Sequence, residues 1–288
     1  MKIHLLSGFL GSGKTTAIQH ASRILIEQGV QTGVIMNDQG SKLVDGDFLN
    51  SLGIPGRQVV NGCFCCNYPA LETHIVSLIG TEGTEIIFAE SVGSCTDIVA
   101  TVLKPLLHFR PGAHVTVSAF ADVRLLRMML TGDAGSFDET VRYIYRKQLE
   151  EAGIVIVNKV DLINNADLKV IKQLVEEKYG DKIILYQNSL DGHNIQMWLN
   201  LLDKYDGADR LPSLSLDYDT YAAGEAKLAW LDQELDIFSI NDNALQAAED
   251  LMNHIHRTVC AHPYTIGHLK FLINESIKIS FTRTLSRQ

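Results

Sequence analysis

Over residues 1–205, short runs of continuous apolar side chains alternate with stretches of helical periodicity. The runs predict strands at 2–7, 32–36, 86–90, 114–120, 154–158 and 182–186. Each gives way to a turn or polar loop and then, in most cases, to a helix. The stretch 167–179 shows the helical pattern plainly, with Leu168, Ile171, Leu174 and Val175 on one face. Strands that are apolar throughout need cover on both faces, which predicts an α/β fold with a mostly parallel sheet between helical layers. In such a sheet, ligands bind beyond the carboxyl ends of the strands. The alternation stops near 204–219, a stretch with Asp, Gly, Ser and a proline that reads as a linker. Beyond it the pattern predicts one long strand or two short ones at 225–240. A helix follows at 243–260, with Leu245, Ala248, Leu251, Met252, Ile255 and Val259 aligned. A hairpin is expected from 265–273 and 276–282 around Asn274-Glu275. The expected division is an α/β domain at 1–205, a linker at 206–219 and a small C-terminal α+β domain at 220–288.

Composition changes this picture little. The chain has 288 residues, 46% of them hydrophobic and 20% charged, which suits a soluble protein with one large domain and a smaller one. A net charge of −9 with scattered basic residues argues against nucleic acid as the main partner. No apolar run approaches the length of a membrane span, so no membrane association is expected. A motif that begins at residue 8 leaves no room for a signal peptide, and the expected location is cytoplasmic. Cys63, Cys65 and Cys66 fall within four positions, apart from Cys95 and Cys260. That crowding reads as poor for disulfides and good for metal ligation in a reducing compartment.

Gly8-Phe9-Leu10-Gly11-Ser12-Gly13-Lys14-Thr15 fits the pattern G-x-x-x-x-G-K-[ST] between a predicted strand and a predicted helix. The glycines let backbone N–H groups converge on phosphate oxygens, and the helix behind them adds its positive dipole end. Lys14 is expected to reach the β- and γ-phosphates and Thr15 to hold Mg²⁺. Gly8, Gly11, Ser12, Gly13 and Thr16 complete this part of the nucleotide site. The plain alternative is a Gly-rich turn that binds nothing.

Asn158-Lys159-Val160-Asp161 ends a predicted strand late in the same domain. Asp161 would accept hydrogen bonds from guanine N1–H and N2–H₂, and adenine would leave it unpaired. Lys159 would lie along the base, and Asn158 would tie this loop to the phosphate loop. Ser189, in Asn188-Ser189-Leu190, would offer a backbone N–H to the base edge. In Glu90-Ser91-Val92-Gly93, Glu90 would approach Mg²⁺ and Gly93 would present its N–H to the γ-phosphate. Asp38, in Asn37-Asp38-Gln39-Gly40, stands where a switch segment would lie and would face Mg²⁺, a water or a transition metal. Lys14, Asp38 and Glu90 are the candidate catalytic set. Asp45 reads as a loop acid.

Cys63-Phe64-Cys65-Cys66 offers soft donors suited to zinc, cobalt(II) or copper(I). Three cysteines in four positions rarely share one geometry. Cys65 and Cys66 with ligands from elsewhere is the preferred picture, with Cys63 a further candidate. A buried cysteine cluster and a redox relay stay open.

Together these stretches, in this order and spacing, resemble the CobW family of GTP-dependent metallochaperones, relatives of the urease and hydrogenase nickel-insertion GTPases. The resemblance spans about residues 1–205 and implies a P-loop NTPase fold of the SIMIBI class. It further implies slow GTP hydrolysis, GTP with Mg²⁺ as the nucleotide, and Zn²⁺ or Co²⁺ as cargo. The partner would be a client metalloprotein or a corrinoid-related enzyme, and a homodimer is compatible with it. Met36 stands where some members carry an acidic metal ligand, and the chain has no His-rich segment, so the third and fourth ligands stay open. The competing reading is a regulatory or assembly GTPase for a metalloenzyme that carries no metal. A third, an ATP-dependent small-molecule kinase, is opposed by Asn158-Lys159-Val160-Asp161.

Overall fold

The strand β1 (Lys2–Gly8) lies at the middle of a parallel sheet and delivers the chain to the phosphate loop at its carboxyl end. The computed structural model describes residues 1–37, 53–59, 62–132, 137–228, 231, 233–239, 243–262, 269–273 and 281–284. Among them, β2 (Thr32–Asn37), β3 (Gly56–Val59), β4 (Ile86–Glu90), β5 (His114–Asp122), β6 (Ile154–Asn158) and β7 (Ile183–Gln187) join β1 in one sheet. The order is β3-β2-β4-β1-β5-β6-β7, and every pairing is parallel. The chain leaves β1 for β2 on one side, returns to β4 beside β1, and then crosses to β5 on the other side. That reversal opens a crevice at the carboxyl ends of β1, β4 and β5, where a parallel sheet takes its ligands.

The crossover helices are α1 (Lys14–Glu27), α2 (Tyr68–Glu82), α3 (Lys104–Phe109), α4 (Val123–Thr131), α5 (Glu139–Glu151), α6 (Asn165–Tyr179) and α7 (Gly192–Lys204). A π-helical turn, Val99–Leu103, leads into α3. Asn67, Asp122, Asp138, Asn164 and Asp191 each accept a backbone N–H at the start of the helix that follows, which explains where those helices begin. Every residue of β2 and β6 is buried, as helices on both faces require. Trp198 of α7 packs against Phe88 of β4 and Phe120 of β5, with ring centroids 5.8 and 5.3 Å apart.

The six strands expected over residues 1–205 are present to within two residues. β3 was not expected, because four residues with Arg57 and Gln58 at their centre carry no apolar pattern. The strand expected at 225–240 is absent from the described residues. Glu225 instead ends a helix, α8 (Tyr218–Glu225), started by Asp217, whose carboxylate accepts from the N–H groups of Asp219 and Thr220. α8 packs on α5, so closely that a Cβ at Gly224 would meet the carbonyl of Thr140. Within the stretch read as a linker, Ala208 is buried against the core and Leu211 packs on it. Further on, α9 (Ala244–Ala261) matches the expected helix, and β8 (Lys270–Ile273) pairs antiparallel with β9 (Phe281–Thr284). Residues 276–280, where the hairpin's second strand was expected to begin, lie outside the described residues. Asn274 and Glu275 lie outside the described residues.

Among the described residues no helix is long and apolar enough to cross a membrane. A cavity of about 500 Å³ opens at the amino ends of the strands, lined by Lys2, His4, Glu85, Gln196 and Asp203 among others. His4 there is buried and donates to or accepts from Thr116 Oγ1 at 2.9 Å, and burial pushes its pKa down to about 3. The motif residues lie at the opposite end of the sheet.

Candidate functional site

Gly8 ends β1, and Phe9 behind it is a buried anchor, edge-on to Phe137 and Tyr145. From there Leu10, Gly11 and Ser12 turn the chain into α1, closed by the Ser12 N–H on the Phe9 carbonyl at 3.2 Å. α1 differs from the Asx-capped helices. It begins at Gly13, with φ 91°, and no side chain caps it. Its first-turn N–H groups are thus left for a ligand with oxygen acceptors. A Cβ at Gly13 would strike the Asn158 amide, so both the positive φ and the close approach select glycine. Ser12 Oγ is buried with no hydrogen-bond partner among the described residues. An anionic ligand with several oxygens fits this cradle.

Lys14 is 5% exposed. Its Nζ donates to the Gly8 carbonyl at 2.7 Å and lies 3.8 Å from Glu90 Oε1. The cation therefore sits inside the loop, held by oxygens that a phosphate would replace. Thr15 Oγ1 donates to Glu90 Oε1 at 3.0 Å. A hydroxyl and a carboxylate this close, at the mouth of the loop, are hard oxygen donors suited to Mg²⁺. Thr16 continues the first turn of α1.

The loop after β6 locks onto the phosphate loop. Asn158 Nδ2 donates to the Ser12 carbonyl at 2.8 Å, as expected from the sequence. Lys159, at φ 63°, donates to the Gly11 carbonyl at 2.6 Å and pairs with Asp122 at 3.1 Å. Burial pushes the Asp122 carboxyl up, but the Arg124 hydrogen bonds and the Lys159 charge outweigh it, and the net direction is down. Asp161 is exposed at the rim, in a 3₁₀ turn, Val160–Leu162. Ser189 takes a supporting position. Its N–H and its hydroxyl both donate to Asn158 Oδ1, at 3.1 and 2.8 Å.

After Glu90, residues 91–99 are buried without interruption. Gly93 meets the phosphate loop, and a Cβ there would lie 3.0 Å from the Leu10 nitrogen. Gln148 of α5 donates to the carbonyls of Gly93 and Cys95, at 2.9 and 3.0 Å. Nearby, burial pushes the Glu151 carboxyl up to about 8, against a hydrogen bond from the Val99 N–H.

The cysteine loop is fixed by Asn37 at the end of β2. Asn37 Nδ2 donates to the carbonyls of Val59 and Gly62, at 3.0 and 2.6 Å, and Asn37 Oδ1 accepts from the Phe64 N–H at 2.9 Å. One sulfur from each of Cys63, Cys65 and Cys66 lies within 4.8 Å of the others. All three candidate ligands are therefore brought together, not two of them. One expectation is corrected: the crowding does not prevent a disulfide, because Cys63 and Cys65 are joined as one. The N–H groups of Cys66 and Asn67 both donate to the Cys63 carbonyl, at 3.0 Å. That turn brings the Cα atoms of Cys63 and Cys65 to 5.4 Å, a span a disulfide bridges. Thiolate ligation of a metal requires the reduced dithiol.

Sequence reasoning missed two contributors. Cys95 reaches the cysteine loop, with its Sγ 3.7 Å from Cys65 Sγ. Burial first, then the Glu151 carboxylate, push its thiol up. Its nearness to Glu90 in sequence was the available signal. The second is α8, which covers this region: Ser94 Oγ donates to Glu225 Oε1 at 2.9 Å, and the Tyr218 hydroxyl to Asp97 Oδ2 at 2.7 Å. Asp38, Gln39, Gly40 and Asp45 lie outside the described residues.

Comparison with known proteins agrees with this geometry. The family model described as CobW/HypB/UreG, nucleotide-binding domain, matches residues 2–185. A zinc chaperone CobW from a Sinorhizobium species is 24% identical over 200 residues, covering 62% of this chain and 56% of that protein. The zinc chaperone YjiA of Escherichia coli K12 is 29% identical over 175 residues, covering 57% and 51%. The chain spans about half the length of the curated relatives it matches. Among solved structures, HypB from Helicobacter pylori in complex with nickel shares the fold, with a TM-score of 0.53 and 16% identity over 74% of this chain and 91% of that one. The parallel sheet, its phosphate loop and the family match over residues 2–185 together make this chain a member of the CobW/HypB/UreG family of P-loop nucleotide-binding proteins.

Proposed function

We propose that this chain is a GTP-hydrolysing metallochaperone that binds a divalent transition metal, zinc or cobalt(II), and delivers it to a client metalloprotein. The observation that carries the reading is the shared wall between two sites. The thiol loop is tied by Asn37 to the end of β2 and lies against the segment that follows Glu90. That segment also touches the phosphate loop at Leu10, and Glu90 at its head accepts from Thr15. The zinc chaperone names of the relatives support the same cargo class.

GTP would lie with its triphosphate over Gly11, Ser12, Gly13 and the start of α1, and with its base near Lys159 and Asp161. Lys14 would move from the Gly8 carbonyl onto the β- and γ-phosphates. Mg²⁺, held by Thr15 and Glu90, would neutralise charge on those phosphates. Gly93, pressed on Leu10, would sense the γ-phosphate through its N–H. Hydrolysis removes that contact and leaves Glu90 and the segment after it free to shift. Metal and GTP affinities are then coupled through one piece of backbone, and the coupling is reciprocal.

The Cys63–Cys65 pairing favours a second reading, an assembly GTPase for a metalloenzyme in which the cysteines are structural. Metal stoichiometry separates the two. Reduced protein, loaded with a non-hydrolysable GTP analogue and passed through a desalting column, is expected to retain one zinc ion per chain. Protein that retains none under those conditions is no carrier.

A further inference from the structure

We infer that Cys95 is the fourth sulfur of the metal site, so that Cys63, Cys65, Cys66 and Cys95 hold one tetrahedral ion. The inference deepens the carrier reading and rests on it. Ligands at about 2.3 Å around a tetrahedral zinc lie about 3.8 Å from one another. Cys95 Sγ is 3.7 Å from Cys65 Sγ, Cys65 Sγ is 3.8 Å from Cys66 Sγ, and Cys66 Sγ is 3.3 Å from Cys63 Sγ. Three of that tetrahedron's six edges are thus near their lengths; the Cys63–Cys65 edge is a bond and Cys95 stands outside the 4.8 Å cluster of the other three sulfurs, so reduction and closure of the loop onto Cys95 complete the site. A small-molecule thiol, two equivalents of which give up two protons and two electrons and leave as their own disulfide, reduces the Cys63–Cys65 pair and so supplies the two remaining thiols. Cys95 is buried with the hydrophobic core, and its Sγ meets the sulfur of Cys65, which packs on that core from the cysteine loop.

The position of Cys95 gives this ligand a distinct task. It lies five residues after Glu90, and the backbone between them is clamped. Leu10 of the phosphate loop presses on Gly93, and Gln148 holds the carbonyls on either side of Ser94. On the outer side, Glu225 of α8 accepts from Ser94 and from the Tyr221 hydroxyl, at 2.9 and 3.2 Å. A site with four protein sulfurs is closed and keeps its ion. Release needs one ligand to leave, and Cys95 is the ligand carried by the segment a γ-phosphate would move. The cargo class follows: an ion content with four thiolates, such as zinc or cobalt(II), over one that favours oxygen donors.

The test counts sulfurs by zinc-edge X-ray absorption on reduced, zinc-loaded protein. Wild type is expected to show four sulfurs at about 2.3 Å, and Cys95→Ala three, with one nitrogen or oxygen in place of the fourth. Cys95→Ser, closer in volume, repeats the comparison, and GTP binding by each variant reports that it is folded. Should both variants misfold, Cys260→Ala decides, since the chain has five cysteines. An unchanged count of four there leaves Cys95 as the fourth sulfur, and a fall to three overturns the assignment. Three sulfurs in the wild type, or four persisting in Cys95→Ala, also overturn it while leaving the carrier reading intact. Wild type that binds no zinc overturns both.

Discussion

Lys14→Ala is expected to lose GTP affinity by about 100-fold or more, measured by titration with a fluorescent GTP analogue. The estimate corresponds to about 3 kcal/mol, the worth of one or two hydrogen bonds to charged groups. The side chain is buried in the loop, with Nζ 2.7 Å from the Gly8 carbonyl and 3.8 Å from Glu90 Oε1. No aliphatic replacement brings a cation to the phosphates. α1 still offers its uncapped N–H groups, so a weak residual affinity remains. Among the described residues the cysteine loop is held by Asn37. Zinc binding without nucleotide should therefore survive the substitution, and the effect of GTP on it should vanish. A variant that loses both ligands together, with its thermal unfolding unchanged, would contradict this division of labour.

The double substitution Cys65→Ala with Cys66→Ala is expected to do the reverse. Removing two thiolates from a site worth on the order of 10 kcal/mol lowers zinc affinity by at least about a thousandfold. Competition with a chromophoric chelator measures it. GTP affinity in the absence of metal should stay within about threefold of wild type, since Cys66 is exposed and the Cys65 sulfur faces those of Cys63, Cys66 and Cys95. If zinc affinity is unchanged in the reduced double variant, the ion sits elsewhere and the motif is structural.

Most of this arrangement was legible in the residues, for reasons that can be named. Strands buried on both faces must be apolar throughout, which exposed six of the seven and a mostly parallel sheet. β3 escaped because an edge strand of four residues carries too short a pattern. The phosphate loop and the Asn158 loop were legible because their chemistry constrains neighbours in sequence: Gly13, Lys14 and Thr15 act within one turn. The Asn158 tie to Ser12 was foreseen, whereas Ser189 proved to brace Asn158 in place. Cys95 and α8 were missed because their roles come from tertiary proximity. Cys95 lies thirty positions beyond Cys65, and nothing in its immediate neighbours marks a ligand. The region 225–240 misled because its scattered apolar residues suit a strand, while Leu231, Leu235 and Phe238 are exposed and unpaired with any described strand. The cysteine turn shows the limit of spacing arguments. Sequence adjacency does not reveal that the chain doubles back on the Cys63 carbonyl.

The central claim is that a bound triphosphate sets the grip of the thiol cluster on its ion. Zinc affinity measured by chelator competition on reduced protein, once with a non-hydrolysable GTP analogue and Mg²⁺ and once with GDP and Mg²⁺, tests it most directly. The account predicts tighter zinc binding with the analogue, by about tenfold or more, in the range of ordinary coupling energies. Equal affinity in the two states would contradict it.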